Sequence, residues 1–413
     1  MNPSVVKDTP PKILIKCFCV LVVIFPLMNR YQSPVSGQIT LSEFFLILFL
    51  IIAFLFGNVA RRRLLISACV VSCYLFLHLF VDFAFLSDSE LQDSVGTGLR
   101  LLLLYVSLAL LVQDFFDRKF ATRLLMRVAV LVALYGIVQV VASFFGMTLS
   151  TYIPFLPIMG DVNLDTEVAA KMDEGFRFRC QSILNEPAAL CCYLTLPLIL
   201  AMFSKDVHTK NRNPQYALIV LFSAVCLISA SSTGIIVVCI LWILFAVLQR
   251  DKKSILGIKI RKLFIIVAFI VMAIVLSVET GLLQYFIDRT FAGGLESSTR
   301  FYAIGEMFGT SDSIITVLLG AGLQETMDYL PGFARVYYCL GLVGLIVFMY
   351  LLISLYFHRD GAGKIILFIF FILNIGTEII LGNFVFYYLP FIVGSNALLE
   401  RNAGKNLSVK KEN

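Results

Sequence analysis

From about residue 11 to about residue 400 the chain is almost continuously apolar, cut into twelve stretches by short polar gaps. The stretches read at 11–29, 41–57, 64–86, 99–113, 124–146, 188–204, 215–231, 234–249, 263–283, 336–357, 365–382 and 384–399. Crossing a bilayer takes ~20 predominantly apolar residues, about 17–25 in practice. Inside hydrocarbon every backbone N–H and C=O must be satisfied within the protein, and stretches of this length do that as helices. Hydrophobic residues fill 59 % of the 413 positions, charged residues 15 %, and the mean hydropathy is +0.91. A soluble globular domain has no use for so much apolar sequence. The expected fold is all-α, a single polytopic membrane domain over 1–413 with about twelve transmembrane helices.

Orientation comes from the gaps. Lys and Arg concentrate in alternate ones: Arg61-Arg62-Arg63, Arg118/Lys119/Arg123, Lys205/Lys210/Arg212, Arg250 to Lys262, Arg359/Lys364, and the tails 1–10 and 400–413. Cytoplasmic loops collect basic residues. The region 215–249 has basic gaps on both sides, so it must cross twice, turning at Ser231-Ser232-Thr233-Gly234. The same reasoning makes 365–399 a hairpin. Twelve spans with both termini cytoplasmic follow, and eleven spans plus a re-entrant segment is the nearest alternative. No small-residue cleavage site follows the first stretch, which therefore reads as a span and not as a signal peptide. The formal net charge of +6 is accounted for by the cytoplasmic gaps, so it signals orientation and not nucleic-acid binding.

Two gaps facing outward are long, 147–187 and 284–335, and they hold most of the remaining Arg. In the first, Arg177 and Arg179 alternate with Phe176 and Phe178, so an extended backbone projects both guanidinium groups to one side. Such Arg make bidentate, charge-assisted bonds to phosphate. The competing account is snorkelling towards lipid headgroups. This loop ends in Glu186-Pro187 at the mouth of a span. Pro suits the first turn of a helix and Glu suits the positive end of its dipole, and the same carboxylate can serve as a base. In the second loop Arg300 follows Ser297-Ser298-Thr299, with Arg289 before it and Arg335 after it. An apolar piece at 314–323 is too short to cross, so it is expected to be re-entrant or packed on the bundle. It leads from Gly320-Ala321-Gly322 to Gly341 and Gly344. Arg100, at the outer end of its span, is a further candidate for the outer site. The outer gap 87–98 is acidic.

Cofactor chemistry finds little footing. Most of the ten Cys lie inside spans, and no Cys/His spacing suits a metal. His208 and His358 fall in cytoplasmic gaps and His78 inside a span, so no outer loop carries an imidazole. Asp165-Thr166-Glu167 and Asp88-Ser89-Glu90 have the acid-x-acid spacing of a weak cation site. No metal and no cofactor are expected. His78 and Asp82 stand one helical turn apart on a shared face, as an internal polar contact or a proton relay. Glu378 is a further acid within a span.

On these residues the chain resembles the O-antigen polymerase (Wzy) family of bacterial polysaccharide assembly. One stretch of likeness runs from Arg179 through Glu186-Pro187 into a span. Another runs from Ser298 and Arg300 through Gly320-x-Gly322 to Gly341-x-x-Gly344. Ser232-Thr233-Gly234 at an outer turn is also similar to the family. The related O-antigen ligases carry a His shortly before the second glycine motif, where this chain reads Tyr329-Leu330-Pro331-Gly332-Phe333-Ala334-Arg335. The resemblance implies a GT-C-like membrane glycosyltransferase with two large periplasmic loops in the bacterial inner membrane. Its substrates would be oligosaccharides on undecaprenyl diphosphate, with membrane lipids around it. A chain-length regulator and a repeat-unit flippase would be its partners. Glu186, Arg179 and Arg300 would be catalytic; Arg177, Arg289, Arg335, Arg100, Ser232 and Thr233 would bind substrate.

Overall fold

The computed structural model describes residues 10–56, 64–159, 180–204, 213–229, 231–248, 313–323, 330–357 and 361–394. Twelve helices form among these residues: α1 (Lys12–Met28), α2 (Leu41–Phe56), α3 (Ile66–Phe85), α4 (Asp88–Phe115), α5 (Arg118–Phe144), α6 (Pro187–Phe203), α7 (Asn213–Ile228), α8 (Ser232–Leu248), α9 (Ile314–Leu319), α10 (Gly332–Phe357), α11 (Gly361–Gly376) and α12 (Phe384–Val393). The described chain has no strand, only the isolated bridges Tyr31 to Ile158 and Gln32 to Thr40. Among the described residues four segments are long and apolar enough to cross a membrane: Ile66–Phe85, Glu90–Phe115, Arg118–Phe144 and Gly332–Phe357. The expected all-α membrane build is what forms. The stretch expected at 263–283 lies outside the described residues.

The helices differ in how deeply they are wrapped. In α6 every residue from Leu190 to Met202 is buried, and in α12 every residue from Val385 to Val393. These two form the core with α1, which packs on α2, α4, α5 and α12. Tyrosine hydroxyls buried there need acceptors, and backbone carbonyls supply them. Tyr387 donates to the Tyr193 carbonyl at 2.9 Å, Tyr388 to that of Cys192 at 2.6 Å, and Tyr193 to that of Val23 at 3.3 Å. The outward faces of α2 and α3 show Phe54, Leu55, Phe76, Leu77, Phe80 and Phe83. Surfaces that apolar suit hydrocarbon and not water.

Two helix starts differ from the sequence reading. Residues 88–98, expected as an outer loop, are the first three turns of α4. The Glu90 carboxylate accepts the Ser87 N–H at 3.2 Å and its hydroxyl at 2.6 Å, and Asp88 and Glu90 suit the N-terminal dipole. A polar segment with a good start signal thus extends an apolar helix. Likewise α5 opens at Arg118, because the Asp117 carboxylate caps the N–H groups of Lys119 and Phe120 at 3.0 and 3.1 Å.

The 314–323 piece packs on the bundle, as expected. Its six-residue helix α9 lies against α10. Behind it the chain runs beside α10: Ala321 N–H donates to the Tyr338 carbonyl at 2.8 Å and Gly322 N–H to that of Cys339 at 3.1 Å. Helix α10 is broken here, with Gly341 at φ 65°, ψ −170°. Gly320 takes φ 86°, ψ −179° opposite it. A Cβ on Gly320 would lie 2.3 Å from the Cys339 oxygen, and one on Gly341 2.3 Å from the Leu318 oxygen. Gly320 and Gly341 are therefore one feature, a place where two backbones touch.

Candidate functional site

Helix α6 begins at a segment held along α5. Ser182 adopts φ 54°, which is uncommon for a residue with a side chain. Gln139 of α5 holds it there, accepting the Ser182 N–H at 2.8 Å and donating to its carbonyl at 3.0 Å. The Ser182 hydroxyl donates to the Val132 carbonyl at 2.8 Å. Cys180 lies against Gly136, where a Cβ would come within 2.7 Å of its sulfur. Burial pushes the Cys180 thiol up to about 12, so it is no nucleophile at neutral pH. The chain then surfaces. Asn185 and Glu186 are exposed, and Glu186 occupies the N-cap of α6 with Pro187 in the first turn. The expected Glu-Pro start is therefore what forms, with the carboxylate facing outward from the bundle and making no capping bond.

Ser232 and Thr233 open α8 beside this start. Thr233 is buried and Ser232 half-buried. Gly234 sits so tightly on Cys191 of α6 that a Cβ would lie 2.2 Å from its sulfur. On the other side a Cβ at Gly376, the last residue of α11, would lie 3.5 Å from the Thr233 hydroxyl. The turn that follows α11 is organised by Asn374, whose side chain accepts the Ile380 N–H at 2.8 Å. Glu378, in that turn, pairs with Arg335 in the first turn of α10. Gly332, which opens α10, donates its N–H to the Thr377 carbonyl at 3.1 Å. Cys192 of α6 lies beside Thr377 and in the field of Glu186. Glu186, Ser232, Thr233 and Arg335 thus collect around the neighbouring ends of α6, α8, α10 and α11. Glu378 joins them as the partner of Arg335.

Arg100 engages the loop between α1 and α2. Its guanidinium donates to the Gln38 carbonyl and lies 3.8 Å from the Glu43 carboxylate. Glu43 in turn accepts the Thr40 N–H at 2.8 Å. These bonds tie α4 to the loop between α1 and α2, so Arg100 works as a brace for that loop. The positions of Arg177, Arg179, Arg289 and Arg300, like those of Asp165 and Glu167, lie outside the described residues. Among the described residues no three His, Cys, Asp or Glu side chains gather as a metal site would require.

One arginine escaped the sequence reading. Arg30, in the loop after α1, is 8 % exposed. It donates to the Thr151 carbonyl at 3.0 Å and the Leu184 carbonyl at 3.3 Å, with its guanidinium carbon 6.0 Å from the Tyr152 ring centre. It thereby joins the 147–159 segment to the segment that leads into Glu186. The signal was a lone Arg closing the first apolar stretch, in a gap too short to attract notice. Set against family models, curated proteins and solved structures, the chain has no match in any of the three comparisons.

Proposed function

We propose that this chain is a surface-polysaccharide polymerase of the bacterial inner membrane, with twelve spans and both termini in the cytoplasm. It moves a growing oligosaccharide from undecaprenyl diphosphate to a hydroxyl of the next lipid-linked repeat unit. The glycosidic carbon–oxygen bond to the diphosphate breaks, the new glycosidic bond forms, and the hydroxyl proton leaves with a base. Undecaprenyl diphosphate is the leaving group, so no nucleotide is needed outside the cell. The observation that carries the reading is the partition of basic residues. It sets Arg177, Arg179, Arg289, Arg300 and Arg335 on the outward side, in loops that contain the Arg179 to Glu186-Pro187 motif. Preorganised Arg stabilise the charge that grows on the diphosphate as the bond breaks. Glu186, exposed at the head of α6, is the base for the acceptor hydroxyl. Arg335, held by Glu378 nearby, is a substrate-binding group.

Deleting the gene and profiling surface polysaccharide on a gel tests this. A polymerase loss leaves a single repeat unit on the lipid A core, and a ligase loss leaves none. A profile unchanged from the parent would defeat both readings. The absence of His from the outward loops and the weakness of their acid pairs lead to a second expectation. Purified enzyme should keep its activity in excess chelator. Loss of activity that a divalent ion restores would make Asp165 and Glu167 candidate ligands.

A further inference from the structure

Three residues on α3 stand four apart, Tyr74, His78 and Asp82, and so share one face. All three turn towards the place where α9 ends and α10 breaks. A helix end and a helix break each leave carbonyls without their usual N–H partners. Tyr74 donates its hydroxyl to the Leu340 carbonyl at 2.6 Å, just before the break at Gly341. His78 Nε2 lies 2.6 Å from the Leu319 carbonyl, the last of α9. Asp82 Oδ2 accepts the Ser94 hydroxyl at 2.5 Å, and Ser94 Oγ accepts the Leu323 N–H at 3.0 Å. His78 and Asp82 are each 2 % exposed and Ser94 is fully buried. The Leu319 carbonyl and the Leu323 N–H are thus answered by α3 and by one serine of α4, and the N–H groups of Ala321 and Gly322 by α10.

The pattern of donors and acceptors counts the protons. A carbonyl only accepts, so His78 Nε2 carries its hydrogen. The Leu323 N–H occupies Ser94 Oγ, so the serine proton points to Asp82. His78 Nδ1 and Asp82 Oδ1 remain, 3.2 Å apart in a bent contact outside hydrogen-bond alignment.

We infer that Tyr74, His78 and Asp82, with Ser94, are positioning residues that hold the outer half of α10, and with it Arg335, in place for the proposed reaction. The inference rests on that reaction for its purpose and not for its geometry. The clamp grips the outer half of α10 at its inner end, at Cys339 and Leu340. Arg335 lies one turn back on the same half-helix. The clamp fixes the pitch of this half-helix much as Glu378 fixes its mouth.

Asparagine separates this from a proton relay. Asn at 82 still accepts from Ser94 and offers an N–H to His78 Nδ1, but transfers no proton. Two readouts follow Asp82→Asn, Asp82→Ala and the nearly isosteric Ser94→Ala in the intact ten-cysteine chain. One is the alkylation rate of Cys339 by a membrane-permeant maleimide, read by peptide mass spectrometry with Cys192 as reference. The other is polymer per unit of membrane-inserted protein. Removing a partner from a buried polar group should raise the Cys339 rate and lower polymer, each roughly tenfold, in both Ala variants. Asp82→Asn should stay within about twofold of the parent on both, since no buried group loses its partner. Unchanged Cys339 reactivity in both Ala variants overturns the clamp. Equal damage from Asp82→Asn overturns it in favour of proton transfer. Raised reactivity with normal polymer overturns the positioning role. If gene deletion leaves the polysaccharide unchanged, the polymerase reading fails, and the thiol readout alone then decides whether the clamp exists.

Discussion

Replacing Arg179 or Arg300 by Ala is expected to cut long-chain polymer per inserted protein by roughly 100- to 1000-fold, or about 3–4 kcal/mol of transition-state stabilisation. The argument is electrostatic. In the proposed reaction negative charge gathers on the lipid diphosphate as the glycosidic bond breaks, and two guanidinium groups from different loops would meet it. Each makes bonds that strengthen as the leaving group departs, so the loss falls on turnover. Arg→Lys keeps the charge but gives up the planar fork, and should restore activity only in part. A guanidinium that merely reaches for lipid headgroups behaves otherwise. Lys replaces it fully, and Ala lowers the amount of inserted protein and leaves turnover alone. Near-normal polymer from both Ala variants at normal expression would remove Arg179 and Arg300 from the mechanism. Arg177, Arg289 and Arg335 would then be the next to change. Arg335→Ala carries a second cost, because it also removes the ion pair with the Glu378 carboxylate.

Gly341→Ala and Gly320→Ala should each destabilise the protein by about 3 kcal/mol or more, from two sources that add. Backbone angles of φ 65°, ψ −170° and φ 86°, ψ −179° belong to a region that only glycine enters freely, at roughly 1–3 kcal/mol for anything else. Each new Cβ would also stand 2.3 Å from a carbonyl oxygen of the facing backbone, where no side chain can rotate away. The α9–α10 contact must open to admit it. The thermal midpoint and the monodisperse fraction in detergent measure this. Gly96→Ala is the matched control: a Cβ there meets nothing within 4 Å, and the site is helical. It should be neutral or stabilising by about 0.5–1 kcal/mol. An unchanged midpoint in Gly341→Ala would show that the two backbones do not meet as described.

The alternation of apolar stretches and polar gaps was legible because the hydrophobic effect and the cost of unpaired backbone act residue by residue along the chain. That much placed helices near eleven of the twelve expected stretches, the Glu186-Pro187 start of α6 and the short packed piece before α10. Helix starts were less legible, since Ser87 with Glu90, and Asp117 with the N–H groups after it, extend helices into polar sequence by bonds a hydropathy window does not register. The sequence also marked Gly320, Gly322 and Gly341 without saying why they are glycine. Tertiary structure decided that, by bringing two backbones within contact at Gly320 and Gly341 and the side chains of Leu86 and Asp82 against Gly322. It likewise decided that Arg100 braces a loop, that Arg30 joins three segments, and that His78 and Asp82 spend their polar atoms on Leu319 and, through Ser94, on Leu323. Each of these depends on which carbonyl lies opposite which side chain. Residues 241 positions apart, as His78 and Leu319 are, become partners only when the helices between them have packed.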